Sequence, residues 1–315
     1  MCEYIVFMIS DEMRRRIAAL NRRDLKHADE VSEAEGQVEP EVRSARGERR
    51  APDPGELRVM AAASDARLHL SLDEVAQGEE IHTPAGTFLL IDQTVQEVLR
   101  GGGRAFGARY ERAIGALHEG NVPHDPYDTF HSLIDARAED VIYVDIETTG
   151  LTAGTPLFLI GVLGHFDGDL RVVQLLARDY TEEAASLSHF VTMLDASQVI
   201  VSFNGKSYDL PYIRDRCLFM GVPFRLRQAH IDMLHVGRRI WGRQLPNCKL
   251  QTLEQYICRR TRQGDIPGAE IPNAYHRFVK SGNAVQMRDI LHHNALDLLT
   301  TTEVLLRVLE GKVYL

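Results

Sequence analysis

The 315-residue chain carries 45 acidic residues against 36 Lys and Arg, a formal net charge of −9, with 44% hydrophobic and 26% charged residues. That length supports a substantial core, as one large domain or two modest ones. The absence of any apolar run of about 18 residues excludes a membrane-spanning helix, and the opening MCEYIVFMIS lacks the basic start and small-residue cleavage site of a secretory signal. Cys2, Cys217, Cys248 and Cys258 show no C-x-x-C pairing, which fits reduced thiols in a cytoplasmic protein. The negative charge lies mainly before residue 200. Residues 201–290 are net basic, so the overall sign does not exclude nucleic acid as a partner.

In chain order, residues 1–25 read as an N-terminal helical segment, with Met13, Ile17 and Leu20 on one side of a helix from Asp11 to Leu25. Residues 26–58, dominated by Glu, Arg, Ser, Gly and Pro, read as a disordered linker. Residues 59–135 read as a small N-terminal region with a β-hairpin, Glu80–His82 and Thr87–Ile91 flanking Thr83-Pro84-Ala85-Gly86. The run Gly101-Gly102-Gly103 is a flexible turn rather than a nucleotide loop, since it lacks G-x-G-x-x-G spacing. A helix is predicted over Ala108–Ala116, then a Pro- and Asp-rich loop to Asp128. From 136 to 315 the pattern predicts a meander of strands at 141, 157 and 170, a helix over 182–194 and a strand over Val199–Phe203. Helices follow over 210–220, 233–241, 250–260 and 284–310, with Gly311 as the last stop. Strands interleaved with helices imply an α/β domain, a mixed central sheet flanked by helices.

The most informative stretch is VIYVDIETTGL, Val141 to Leu151. Side chains alternate along a strand, so Asp145 and Glu147 point one way and Ile146 points into the opposite layer. Two like charges on one face of a core strand are costly unless a cation lies between them; the alternative is a pair of solvated acids at a strand end. Asp209, in FNGKSYDLPYI, follows a strand at a turn entering a helix. Asp297, in HHNALDLL, lies on the last helix. Either acid alone is read as a cap or an exposed helix residue. Together with the strand pair they form a carboxylate cluster able to hold two divalent ions about 4 Å apart, the arrangement that serves phosphodiester cleavage. A paired-carboxylate glycosidase fits poorly, because neighbours on one strand face do not flank a sugar from both sides.

The motifs IHTPAGTFLLID, YVDIETTGL, TPLFLIGVLG, VSFNGKSYDLPYIRDRC, HIDML, CKLQTLEQYICRR, GDIPGAEIPNAYHRFV and HHNALDLL occur in this order between about Leu70 and the C-terminus. In order and spacing they resemble the YprB-type ribonuclease H-like family, within the DEDD 3′–5′ exonuclease superfamily; residues 1–60 have no counterpart in it. The resemblance implies a ribonuclease H-like mixed sheet and a nuclease dependent on Mg²⁺ or Mn²⁺. It implies that Asp145, Glu147, Asp209 and Asp297 ligate metal or hold metal-bound water. A residue one turn before the last Asp would orient or deprotonate that water. His293, four residues before Asp297 and on the same helix face, is preferred, with His292 as the alternate. The resemblance also supports Thr148 and Thr149 as donors to a substrate 3′ end.

Asp232 reads as a helix cap or a supporting acid, the cap preferred, and Lys206 as a phosphate contact or a surface lysine. Arginines recur from 210 to 290 (Arg214, Arg216, Arg225, Arg227, Arg238, Arg239, Arg243, Arg259, Arg260, Arg262, Arg277) near Tyr208, Tyr212, Trp241 and Tyr256, a mixture suited to single-stranded RNA or DNA. About a third are expected to touch substrate, the rest forming solvated faces. The turn-rich loop 264–272 is expected to wall the cleft. No small-molecule cofactor and no membrane are expected. The alternative reading is a catalytically weak ribonuclease H-like module that binds nucleic acid or a protein.

Overall fold

The β-branched and aromatic run at 141–144 forms the start of β3 (Val141–Thr148), an interior strand of a seven-stranded sheet. The computed structural model describes residues 69–99, 102–123, 127–262 and 264–313. The helical segment 1–25 and the linker 26–58 expected from sequence lie outside the described residues. The sheet order is β1-β2-β5-β4-β3-β6-β7. The hairpin of β1 (Glu79–Thr83) and β2 (Gly86–Thr94) joins this sheet, β2 pairing antiparallel with β5 (Asp169–Leu176). The meander is completed by β4 (Leu157–Phe166), which turns into β5 through Asp167 and Gly168. Both turn residues have positive φ, 51° and 82°, as a tight hairpin turn requires.

Beyond β3 the sheet becomes parallel. A helix, α5 (Glu183–Asp195), leads to β6 (Val199–Ser202), which pairs with β3; α6 (Asp209–Met220) then leads to β7 (Ala229–Asp232), which pairs with β6. The short edge strand β7 was not read from sequence, since its four residues, AHID, carry no clear alternation. The remaining helices are α1 (Leu72–Val75), α2 (Val95–Leu99), α3 (Gly103–His118), α4 (His131–Ile134), α7 (Met233–Trp241), α8 (Leu250–Tyr256), α9 (Ile271–Ser281) and α10 (Val285–Leu309). Gly103 belongs to α3 rather than to a flexible turn: a Cβ there would lie 2.2 Å from the Gln96 backbone. The helix predicted over 250–260 stops at Tyr256, and Arg259 takes a positive φ of 54°.

The alternation along β3 sorts the core. Val141 and Tyr143 pack with Tyr110, Trp241, Leu298 and Leu305 beneath α3, α7 and α10. Ile142, Val144 and Ile146 pack with Phe190 and Ile213 beneath α5 and α6. Ile146 therefore faces that second layer, and Asp145 and Glu147 face α10. A third cluster seats α9 on β4, with the Phe158 and Tyr275 rings stacked at 3.9 Å. Among the described residues no helix is long and apolar enough to cross a membrane.

Candidate functional site

Asp145 and Glu147 are half-buried at the C-terminal end of β3, between fully buried neighbours. Asp145 is held by Asn294 of α10, whose Nδ2 donates to Asp145 Oδ2 at 2.8 Å. Asn294 is itself fixed, its Oδ1 accepting from Gln174 Nε2 at 2.8 Å. This bridge needs Gly161 on β4, where a Cβ would stand 2.1 Å from Asn294 Oδ1.

Asp209 opens α6 and is buried. The loop before it is tied down by Asp232, the last residue of β7. The Asp232 carboxylate accepts from Asn204 N at 2.9 Å, from Lys206 N at 3.0 Å, and from Leu234 N at 3.0 Å as the cap of α7. Asp232 thus caps a helix and also braces the chain that places Asp209.

On α10, His293 and Asp297 lie one turn apart, Nε2 to Oδ2 at 3.6 Å. His293 is buried and its Nδ1 pairs with Asp265 Oδ1 at 2.9 Å. His292 is exposed and lines a groove with Gln174, Asp289 and Leu291, away from Asp297. Arg262 completes the arrangement. Its guanidinium donates to Asp297 Oδ1, to Asp265 Oδ2 at 3.1 Å and to Glu254 Oε2 at 2.6 Å. Glu254 also accepts from Arg260 Nε at 2.7 Å.

Burial, followed by the charges of Asp297, Glu147 and Asp209, holds the Asp145 carboxyl well above the usual carboxylate range. Burial likewise pushes Glu147 up to about 8 against the opposing pull of His293, and Asp209 up to about 7 against hydrogen bonds from the backbone of Asp209 and Ile146. Asp297 is raised because its burial outweighs Arg262 and His293. In Asp265 the push of burial is outweighed by His293 and Arg262, so its carboxyl is lowered. The His293 imidazole is raised: burial disfavours its charge, but Asp265, Asp297 and Glu147 favour it more. Four acids drawn from three elements therefore sense one another. Among the described residues, no three His, Cys, Asp or Glu side chains meet closely enough to chelate one ion as they stand.

The model of the RNase_H superfamily matches residues 142–308, more than half of the chain and all four acids. The chain belongs to the RNase H superfamily. It is 30% identical over 165 residues to the uncharacterised protein YprB of Bacillus subtilis (strain 168), which covers 51% of this chain and 40% of that protein. The chain therefore spans less than half of the relative's length. A family B DNA polymerase from the hyperthermophilic archaeon Pyrobaculum calidifontis overlaps 52% of this chain and 24% of its own, with TM-score 0.42 and 18% identity.

Within this RNase H superfamily domain the loop after β3 is fastened by one stripe of α6 and the residue preceding it. The Tyr208 hydroxyl lies 2.9 Å from Thr148 Oγ1 and the Tyr212 hydroxyl 2.8 Å from Thr155 Oγ1, and Arg216 Nη1 donates to Ala153 O at 3.2 Å. Arg216 also forms a buried pair with Glu183 at 2.6 Å. Thr149 Oγ1 donates to Pro156 O, and Leu151 stands 88% exposed at the loop tip. The arginines expected to share one surface divide: Arg216, Arg260 and Arg262 are spent on internal carboxylates, while Arg225, Arg227, Arg238, Arg239 and Arg243 are exposed. Asn294, Asp265 and Glu254 were not singled out from sequence, and Arg262 was read only as one of the arginines suited to nucleic acid, whereas it binds Asp297, Asp265 and Glu254. Only Asn294 carried a signal, a polar residue on the apolar side of a long helix.

Proposed function

We propose that this domain is a metal-dependent nuclease, acting on single-stranded RNA or DNA as a 3′–5′ exonuclease. The observation that supports it is the set of acids on β3, α6 and α10 whose carboxyls burial and mutual repulsion raise. Among the described residues no lysine or arginine is bonded to Asp145, Glu147 or Asp209, and hard oxygen donors of this kind suit Mg²⁺ or Mn²⁺. Asp145, Glu147, Asp209 and Asp297 would hold the metal, Asp297 after turning from Arg262. Bound there, it would supply an activated water and charge for the leaving oxygen.

The chain's own groups do the rest. Asn294 orients Asp145, and Asp232 fixes the turn that presents Asp209. Asp265 holds His293 Nδ1, so that Nε2 faces the acids and can take a proton from the attacking water. The hydroxyls of Thr148, Tyr208 and Tyr212 keep the loop after β3 in one conformation, giving a substrate end a fixed wall. The buried free thiols Cys217, Cys248 and Cys258 support a reducing, cytoplasmic setting. The test is metal-dependent hydrolysis of labelled single strands that Asp145→Ala abolishes.

A second reading rests on the Arg262–Asp297 contact, which already gives one acid a permanent cation. It is a ribonuclease H-like module that binds nucleic acid or a protein with little turnover. Tight substrate binding unchanged by Asp297→Asn, with no cleavage, favours it.

A further inference from the structure

We propose that the loop 203–208 and the exposed side of α7 form a track for single-stranded nucleic acid leading away from the acid cluster. This rests on the nuclease reading and specifies where its substrate runs. Lys206 is exposed, three residues before Asp209, so the same loop faces the acids on one side and solvent on the other. It lines a cavity of about 480 Å³ with His235 and Arg239. A second cavity of about 760 Å³ shares Tyr127 and Arg239 with the first and continues along α7 to Arg238 and Arg243. The two are one surface.

The charge balance of that surface favours an anion. Among the described residues its permanent cations are Lys206, Arg238, Arg239 and Arg243, and its acids are Asp128 and Asp232. Asp232 turns its carboxylate inward to three backbone N–H groups, which leaves little of its charge for the surface. Asp128 has His131 beside it at 3.8 Å. The aromatic element is Tyr127, 69% exposed, with the Arg239 guanidinium 4.9 Å from its ring centroid. Basic groups follow phosphates and an exposed ring stacks an unpaired base, a combination that duplex DNA does not use. At about 1.5 Å per residue the nine residues of α7 span roughly 14 Å, room for about four stacked nucleotides.

Arg225 and Arg227 give a matched control. They line a separate cavity with Asp195 and Phe224, and Phe224 packs on the opposite core layer beneath α5 and α6. The experiment measures binding of a fluorescent 12-nucleotide single strand to the full chain in EDTA, across a salt series. Arg238→Gln/Arg243→Gln is expected to weaken binding about tenfold and to reduce the slope of log affinity against log salt by about 1.4, two phosphate contacts at ~0.7 each. Tyr127→Ala is expected to weaken single-strand binding about tenfold and duplex binding little. Arg225→Gln/Arg227→Gln, equal in charge change, is expected to leave the slope unaltered. Equal losses from the two arginine pairs would show a diffuse charge effect and overturn the track; so would no loss from Arg238→Gln/Arg243→Gln, or no binding of single strands by the chain. Because this measurement needs no turnover, track-dependent binding in EDTA together with no cleavage of the same strand in Mg²⁺ or Mn²⁺ leaves the track standing and sinks the nuclease reading alone.

Discussion

The Arg262 guanidinium is hydrogen-bonded to the carboxylate of Asp297, and Arg262 is almost wholly buried between Asp297, Glu254 and Asp265. A buried arginine this well matched is a fixed cation, and it competes with any metal for Asp297. Arg262→Gln is therefore expected to raise Mn²⁺ affinity about tenfold (about 1.4 kcal/mol) in calorimetry. The same change should lower thermal stability, since the buried Glu254 loses one of its two arginine partners and keeps Arg260 and the Thr300 hydroxyl. Unchanged or weaker Mn²⁺ binding would mean that Asp297 is no ligand, or that Arg262 does not restrain it.

Stability in EDTA should fall as pH rises. Glu147 and Asp209 have folded-state values near 8 and 7, above the ordinary carboxylate range of the unfolded chain. Between about pH 4.5 and 8 these carboxyls hold more protons in the folded state than in the unfolded one, a negative linkage slope. The opposing shift of His230, lowered by burial to about 4, only partly offsets it below pH 6.5. Melting temperature should decline across that window, and Mg²⁺ at pH 8 should restore it by binding the folded form. Asp209→Asn should flatten the profile. A melting temperature that climbs from pH 5 to 8 contradicts the shifts.

Asn294 is fully buried and ties Asp145 to Gln174. Asn294→Ala should cost about 1–3 kcal/mol in urea unfolding, the usual penalty for stranding buried polar partners. It should also lower cleavage more than tenfold, because Asp145 loses its bearing. Gly161→Ala should act in the same direction by displacing the Asn294 amide. Full activity in both variants would make Asn294 a packing residue.

Much of this site was legible because it is local. Alternation in VDIE placed Asp145 and Glu147 on one face and Ile146 in the core, and helical spacing put His293 beside Asp297. The restraints were not legible because they join residues far apart in sequence: Asn294 to Asp145 across 149 positions, Arg262 to Asp297 across 35. In α9 the signal was present and outweighed. Ile271, Ala274, Tyr275 and Phe278 have helical spacing, and Pro272 suits a first turn, but the preceding Gly and Pro residues made the whole of 264–272 read as loop. Conversely, CKLQTLEQYICRR reads as helix to Arg260, yet the chain turns at Ile257 so that Arg260 and Arg262 can return to Glu254.

The buried pair of Arg216 and Glu183 is a further tie on the loop after β3, since Glu183 also accepts from Leu157 N at 3.0 Å and Arg216 Nη1 donates to Ala153 O. Arg216→Met should cost about 3–5 kcal/mol by leaving Glu183 buried and unpaired. Arg216→Met/Glu183→Leu should recover part of that loss. Limited proteolysis should cut near Leu151 faster in the single variant; equal rates would separate the ion pair from the loop.

Exonucleolytic cleavage, as proposed, depends on metal held by these acids. It is tested most directly with 5′-labelled single-stranded RNA and DNA, their 3′ ends free or blocked, incubated with Mg²⁺ or Mn²⁺ and wild-type or Asp145→Ala protein. The expected result is stepwise shortening from free 3′ ends only, dependent on metal and reduced at least about a hundredfold by Asp145→Ala. Cleavage that persists in Asp145→Ala, or the absence of metal-dependent cleavage of either substrate, would contradict it.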